Sequence, residues 1–187
     1  MKFLSTLALL VATATATPVA RSTKEFHLKT SGAQNEAHND LYLQTYHTGA
    51  GLNDAVFTKG SDKASPVYFN GTQALVDLQS EFPWGIVATG DTNYAGKYHG
   101  SRPDLEMYAL ITFDGLAWEP VEINAGGGSN GFAIKEGKFV WSEQNGFGGW
   151  LACDWYHGVP QLFYLNRFYN ATIPSNCDKV DLKPVAV

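Results

Sequence analysis

Residues 132–141 read FAIKEGKFVW, and this stretch decides the fold class. Two short runs rich in aromatic and β-branched residues, 132–135 and 138–141, flank the dipeptide Glu136-Gly137. Aromatic and β-branched side chains favour strands, and a glycine supplies the positive φ that a two-residue primed turn needs. The stretch therefore predicts a β-hairpin.

The same pattern continues along the chain on both sides of this hairpin. Short apolar or alternating runs are separated by Gly, Asn, Asp and Ser, which is typical of all-β domains. The predicted strands are 25–29, 41–46, 54–58, 66–70, 74–78, 84–89, 106–113, 118–123, 132–135, 138–141, 150–154, 161–165 and 179–182. No long helical stripe of apolar residues occurs. Residues 74–81 could instead form a short helix, and so could 107–111, although the aromatic and β-branched residues around 107–111 favour a strand.

These patterns predict one all-β domain, an antiparallel β-barrel or β-sandwich. Several strand–turn–strand units look alike, so a three-fold trefoil arrangement stays open. The length suits a single domain that can bury a core of its own. The side chains predicted to form that core are Phe139, Trp150, Leu151, Leu162 and Phe163.

The N-terminus has the features of a secretory signal peptide over residues 1–16. Lys2 precedes an apolar run, 3–11, and Ala-Thr-Ala at 14–16 is a small-residue cleavage site, with a second one at 12–14. The apolar run is too short to cross a bilayer core of about 30 Å, although a buried N-terminal helix is the alternative. We therefore predict a loose leader over 17–23, a single domain over 24–187, and a secreted protein that is free of the membrane after cleavage.

The charge pattern excludes some classes of partner. The formal net charge is −5, and no run of Lys and Arg occurs. Nucleic acids and anionic membranes are bound through basic patches, so neither is an expected partner. We expect a monomer without a cofactor.

Covalent features agree with secretion. Cys153 and Cys177 are the two cysteines, and in an oxidising compartment an even count predicts a disulfide. Two free buried thiols are the alternative if the chain is not secreted. The motifs Asn70-Gly71-Thr72 and Asn170-Ala171-Thr172 are N-glycosylation sequons beside turn-forming residues.

Catalytic residues are harder to find. Asp154 and His157 could act together or bind a metal, but residues three apart on a strand point to opposite faces. They would meet only if the chain turns after Asp154, and otherwise they cap that turn. The five histidines form no H-E-x-x-H or H-x-H motif, so we predict no metal site.

A glycoside hydrolase would need two carboxylates in one cleft, and Glu119 and Glu122 are the nearest pair. They alternate faces on a regular strand, although Pro120 disturbs that strand. No Gly-x-Ser-x-Gly motif occurs, and an oxidised Cys153 is no nucleophile. The sequence therefore favours a protein that is not an enzyme.

Aromatic residues make up 13% of the chain, which suggests sugar binding. Aromatic faces stack on sugars, and Trp155 and Tyr156 are the expected exposed pair because adjacent side chains on a strand cannot both point inward. The alternative is that the aromatic residues fill the core. The glycine-rich stretch 126–131 lacks a phosphate-binding pattern and is expected to be a flexible turn.

The C-terminal third resembles a known group of proteins. The quoted hairpin leads into Trp-Leu-Ala-Cys (150–153), Pro-Gln-Leu-Phe-Tyr (160–164) and Ser-Asn-Cys-Asp-Lys-Val-Asp-Leu (175–182). These motifs resemble small secreted proteins of filamentous ascomycete fungi, a domain of unknown function, and the layout is distantly similar to fungal phialide cell-wall proteins. The resemblance implies secretion, a Cys153–Cys177 disulfide and cell-wall association, and it implies no catalytic residues.

Three hypotheses for function follow. The first is a glycan-binding or structural protein of the cell wall that contacts polysaccharide through Trp155 and Tyr156. The second is an extracellular hydrolase that uses Asp154, His157 or the Glu119 and Glu122 region. The third is a secreted effector that binds a host protein.

Overall fold

The structure is a computed structural model, and it is built from antiparallel β-strands. It describes residues 24–88, 118–155, 157–168 and 172–187. Outside these residues lie the predicted signal peptide and leader, the predicted strand 106–113, Tyr156 and Asn170.

The described residues form thirteen strands, numbered β1 to β13 in chain order. They are Phe26–Ser31, Tyr42–Gly49, Leu52–Thr58, Val67–Asn70, Gln73–Val76, Trp84–Val87, Trp118–Pro120, Glu122–Ala125, Ala133–Lys135, Lys138–Val140, Phe147–Asp154, Pro160–Asn166 and Cys177–Ala186. Single 3-10 turns lie at Glu36–His38, Ser61–Lys63 and Glu143–Asn145. Within the described ranges no helix is long and apolar enough to span a membrane. The short helix considered at 74–81 is replaced by β5 and the bends after it.

All the strands belong to one sheet. Its order is β2-β1-β4-β5-β6-β8-β3-β12-β11-β13-β10-β9, with β7 added beside β12. Every pairing between these thirteen described strands is antiparallel. The further pairings β2–β3 and β1–β13 connect distant parts of this order, so the sheet curls back on itself. The all-β antiparallel class is confirmed, whereas the trefoil arrangement stays a prediction.

The predicted hairpin at 132–141 is present as β9 and β10. Lys135 and Lys138 are paired across the turn. The two turn residues, Glu136 and Gly137, have φ of 51° and 73°. Positive φ at both positions is the geometry of a type I′ turn, which matches the twist of the two strands.

The main core lies on one face of the curled sheet. The five predicted core residues are each at most 3% exposed. Phe139, Trp150 and Leu162 belong to this core, whereas Leu151 and Phe163 belong to a second cluster on the other face. Stacked rings run through this core, with Phe132 on Phe139 at 5.2 Å between centroids and Phe139 on Trp150 at 5.7 Å. The indole N–H of Trp150 donates to the carbonyl of Phe139 and that of Trp141 to the carbonyl of Asn130, so both rings are buried without losing a hydrogen bond.

Strands β11 and β12 are buried on both faces. Trp150 and Ala152 face the main core, whereas Leu151 and Cys153 alternate with them and face a second apolar cluster. The Cys153–Cys177 disulfide lies in that cluster, where it joins directly opposite positions of β11 and β13. It closes a loop of 24 residues, which the chain-entropy model values at about 3–4 kcal/mol.

The glycine-rich stretch is packed rather than loose. Its backbone lies against β6, where the amide of Ser129 donates to the carbonyl of Ile86 at 2.9 Å. A Cβ on Gly85 would lie 2.0 Å from the amide nitrogen of Gly128, and one on Gly128 would lie 2.4 Å from the Ile86 carbonyl oxygen. The glycines are therefore needed so that two backbone segments can approach. The stretch connects two strands as predicted, but the expected flexibility is wrong because its backbone is packed against β6.

We expect Gly128→Ala to lower the free energy of unfolding by about 1–3 kcal/mol, because the added Cβ overlaps backbone atoms that have no room to move. Urea denaturation followed by tryptophan fluorescence measures the change. The control is Gly49→Ala, whose Cβ would meet only a side-chain carbon of Leu52 at an ordinary 3.8 Å. Equal stability of the two variants would contradict the packing described here.

Candidate functional site

The face of the sheet opposite the main core, here called the outer face, brings together side chains from five strands. Val56 of β3 lies opposite Gln161 of β12, on the same face as Cys153 and Phe163. Two residues along β3, Asp54 lies opposite Tyr46 of β2 on one side and Glu122 of β8 on the other. Directly opposite residues of an antiparallel pair share a face, so these groups form one continuous surface.

The connection between β11 and β12, residues 155–159, is held to this face at two points. Trp155 packs against Phe163 of β12 and Trp118 of β7. His157 contacts Asp54 of β3 and Tyr46 of β2. One short connection therefore positions an aromatic group and a polar group on the outer face.

The aromatic group consists of three rings in mutual edge contact. The centroid of Trp155 lies 5.8 Å from that of Trp118 and 5.4 Å from that of Phe163, and Trp118 lies 5.4 Å from Phe163. Phe163 is buried, while both tryptophans are half-buried. Together with Leu165 and Ile173 they cover the disulfide and Leu151. The ring of Trp155, the first predicted ligand-binding residue, is thus partly packed against the sheet and partly exposed to solvent. Tyr156, the second, lies outside the described residues.

The polar group consists of the buried His157–Asp54 contact and the Tyr46 ring that lies over it. His157 Nε2 lies 2.6 Å from Asp54 Oδ2, and the two side chains are only 9% and 7% exposed. Tyr46 is 42% exposed, and its ring stacks on the imidazole with 4.0 Å between centroids and 28° between planes. Glu122 Oε2 accepts a 2.6 Å hydrogen bond from Asn124 Nδ2. This arrangement holds an aromatic ring at the surface above fixed hydrogen-bonding groups.

The two weak catalytic candidates lie in different clusters. His157 pairs with Asp54, whereas Asp154 pairs with His38, a buried residue of the first 3-10 turn. Asp154 and His157 therefore do not meet, and each contacts a partner from a distant part of the chain. The described residues hold no group of three or more His, Cys, Asp and Glu side chains that could bind a metal ion.

Glu119 and Glu122 also separate. Glu119 is buried on the main-core face, where its carboxylate accepts a hydrogen bond from the Tyr164 hydroxyl. The pairing is interrupted at Val121, between β7 and β8, but the alternation of faces continues because Val121 and Ile123 face the main core as Glu119 does. Glu122 therefore lies on the outer face, opposite Asp54. Sequence reasoning missed Tyr46 and Asp54, because pairing between strands far apart in the chain is what joins them to His157.

His38 contacts two aspartates, Asp154 and Asp178, which lie next to the disulfide. Its Nδ1 lies 2.7 Å from Asp178 Oδ2 and its Nε2 lies 3.1 Å from Asp154 Oδ1, and the side chain is 1% exposed. Each ring nitrogen therefore lies within hydrogen-bonding distance of one carboxylate, Asp154 on β11 and Asp178 on β13. Asp154 and Asp178 directly follow Cys153 and Cys177, so the imidazole bridges the two strands next to the disulfide.

We expect His38→Gln to lower the free energy of unfolding by about 1.5–3 kcal/mol, because an amide cannot serve both carboxylates and a hydrogen bond to a charged group is lost. Urea denaturation measures this effect. His47→Gln changes an exposed histidine and is the matched control, with no expected loss. A His38 variant as stable as the His47 variant would show that the bridge contributes nothing.

A family model described as Domain of unknown function (DUF7907) matches residues 23–101 and 112–186. The two matched segments contain every strand described above, and the match agrees with the resemblance to a domain of unknown function. No curated protein and no solved structure matches the chain. The chain belongs to the DUF7907 family.

Proposed function

We propose that this protein is a secreted glycan-binding protein that binds a cell-wall polysaccharide on its outer face, with Trp155 as a principal contact. The observation that carries the proposal is the half-buried Trp155 ring, held by Trp118 and Phe163 above the disulfide. Pyranose rings have apolar faces that stack on such rings, and nearby polar groups bind their hydroxyls.

Rigidity of this surface supports binding. Trp155 follows β11 by one residue, and β11 is fixed to β13 by the disulfide and paired with β12 along its other edge. A ring that is already ordered loses little conformational freedom when a sugar stacks on it. Half-buried Glu122 and Asn124 provide an acceptor and a donor on the same face.

Secretion is the second part of the proposal. A disulfide persists in an oxidising compartment, in keeping with the signal peptide predicted over 1–16. The resemblance to secreted proteins of filamentous ascomycete fungi, and in layout to phialide cell-wall proteins, suggests the fungal cell wall as the place of action.

We expect the protein to bind at least one insoluble polysaccharide among chitin, β-glucan and cellulose, saturably, and Trp155→Ala to abolish most of that binding because the stacking face is lost. A pull-down with increasing protein concentration measures it. Phe82→Ala is the matched control, because Phe82 is 51% exposed and packs only beside Trp84 in the described contacts.

Trp155→Leu is a second variant that keeps an apolar group over Phe163 but offers no flat face. It should fold normally, as shown by its thermal midpoint, and should still lose binding. Absence of binding by the wild-type protein to all three polymers would overturn the proposal. A host-protein effector would then be the better reading.

A hydrolase on the same face is the second candidate function. It is favoured by Asp54 and Glu122, two carboxylates on directly opposite strand positions. The pull-down supernatants decide between the two functions. Release of soluble reducing sugar by the wild-type protein, but not by Asp54→Asn, would indicate hydrolysis, whereas binding without release is the expected result.

We expect Asn70 to carry an N-glycan when the protein is secreted from a eukaryotic host. Asn70 and Thr72 are exposed at the β4–β5 turn, and Gly71 takes a positive φ of 61° there, so the acceptor is accessible. Asn70→Gln should remove one endoglycosidase-sensitive mobility shift. Asn170→Gln tests the second predicted site in the same gel. An unchanged mobility of Asn70→Gln would contradict glycosylation at Asn70.

A further inference from the structure

We infer that the protein binds its glycan along a linear chain, through a second stacking position at Tyr46 that adjoins Trp155. The inference rests on the proposed function, and it adds the class of ligand: an internal stretch of a linear polysaccharide rather than a single terminal sugar. Neither the sequence patterns nor the family match assigns a role to Tyr46.

Tyr46 has the surroundings of a prepared stacking surface. One face of its ring is covered by the His157 imidazole at 4.0 Å, and 42% of the residue is exposed. The imidazole is itself fixed by its 2.6 Å contact with the buried Asp54 carboxylate. The tyrosine ring is therefore supported from below by a charge-assisted pair, while the rest of it faces outward.

Tyr46 differs in position from the other large apolar side chains that are exposed in the described residues. Leu52, Phe82, Phe168 and Val187 lie at turns, at a strand end or at the chain end, and Ile134 lies in the three-residue hairpin strand β9. Tyr46 instead lies within the eight-residue strand β2, opposite the buried Asp54. Its exposed ring is therefore held on the same face as Trp155, where a ligand that covers that face can reach it.

The two rings are close enough for one ligand. Trp155 and His157 are two residues apart, so their Cα atoms are separated by at most about 7 Å. The Tyr46 ring contacts that same His157. An oligosaccharide that stacks on Trp155 therefore reaches Tyr46 when it extends by further units, whereas a monosaccharide covers only one ring.

Polar groups beside Tyr46 suit the hydroxyls of such a chain. Half-buried Glu122 lies on the outer face opposite Asp54, whose buried carboxylate is held by His157, and Asn124 donates to Glu122. These carboxylates and the amide flank Tyr46 rather than Trp155, because Asp54 is its cross-strand neighbour. The Tyr46 position thus combines stacking with hydrogen bonding, while the Trp155 position is mainly apolar.

The test measures affinity against ligand length. Isothermal titration would use soluble oligosaccharides from disaccharide to hexasaccharide, from whichever of chitin, β-glucan and cellulose the wild-type protein binds. We expect the wild-type affinity to rise with length. Tyr46→Ala should weaken the hexasaccharide by roughly tenfold and leave the disaccharide nearly unchanged, because only the longer ligand reaches the second ring.

Two further variants test whether His157 acts by supporting the Tyr46 ring. His157→Gln keeps a donor for Asp54 but removes the ring beneath Tyr46, so it should also reduce the gain with length. Phe82→Ala should leave that gain intact. Thermal midpoints of all variants show whether each remains folded.

The possible results have distinct meanings. An affinity independent of length, or a Tyr46→Ala variant that binds the hexasaccharide like the wild-type protein, overturns the inference while leaving glycan binding by Trp155 in place. Absence of binding to every polymer and oligosaccharide overturns the proposed function and this inference together. Length-dependent binding that Tyr46→Ala abolishes supports both.

Discussion

The site depends on the crosslink between β11 and β13. The Cys153–Cys177 disulfide joins the two strands at the end of β11, one residue before the chain leaves the sheet at Trp155. His38 holds the aspartates that follow each cysteine, so this corner is fixed by a covalent bond and by charge-assisted hydrogen bonds. The connection that follows begins from a rigid anchor, which is why its side chains can be held on the outer face.

Burial on both faces distinguishes β11 and β12 from ordinary strands of an antiparallel sheet. Such sheets commonly pack one face and leave the other to solvent. Here the second face is covered by Trp118 and Trp155, and their rings leave only part of their surface to solvent. The stability of this corner and the surface available to a ligand therefore come from the same aromatic side chains.

The aromatic residues divide between two tasks. Trp141 and Trp150 are core residues whose indole N–H groups are bonded to backbone carbonyls, so for them the interpretation as core filling is correct. Trp118 and Trp155 cover the outer face, and Tyr46 remains partly exposed above His157. Aromatic composition alone does not separate these groups, because an exposed ring and a buried ring look the same in a sequence.

Local patterns determined the all-β class, the turn at Glu136-Gly137 and the five predicted core residues, since strand alternation and turn preferences depend on near neighbours. The cysteine count determined the disulfide, because two cysteines have only one possible pairing. The candidate site residues predicted from the sequence, Asp154, Trp155 and His157, lie at the end of β11 and in the connection to β12.

Only the tertiary structure decided which groups meet. Asp154 and His157 are neighbours in sequence but bind His38 and Asp54, which lie 116 and 103 residues away. The packed glycine stretch and the Tyr46 position likewise depend on strands that pair across the sheet. The sequence by itself thus determined the strands, the turn and the crosslink, because these follow from local preference and from the cysteine count. The partners of each polar and aromatic group were decided by long-range strand order and register, which no local pattern encodes.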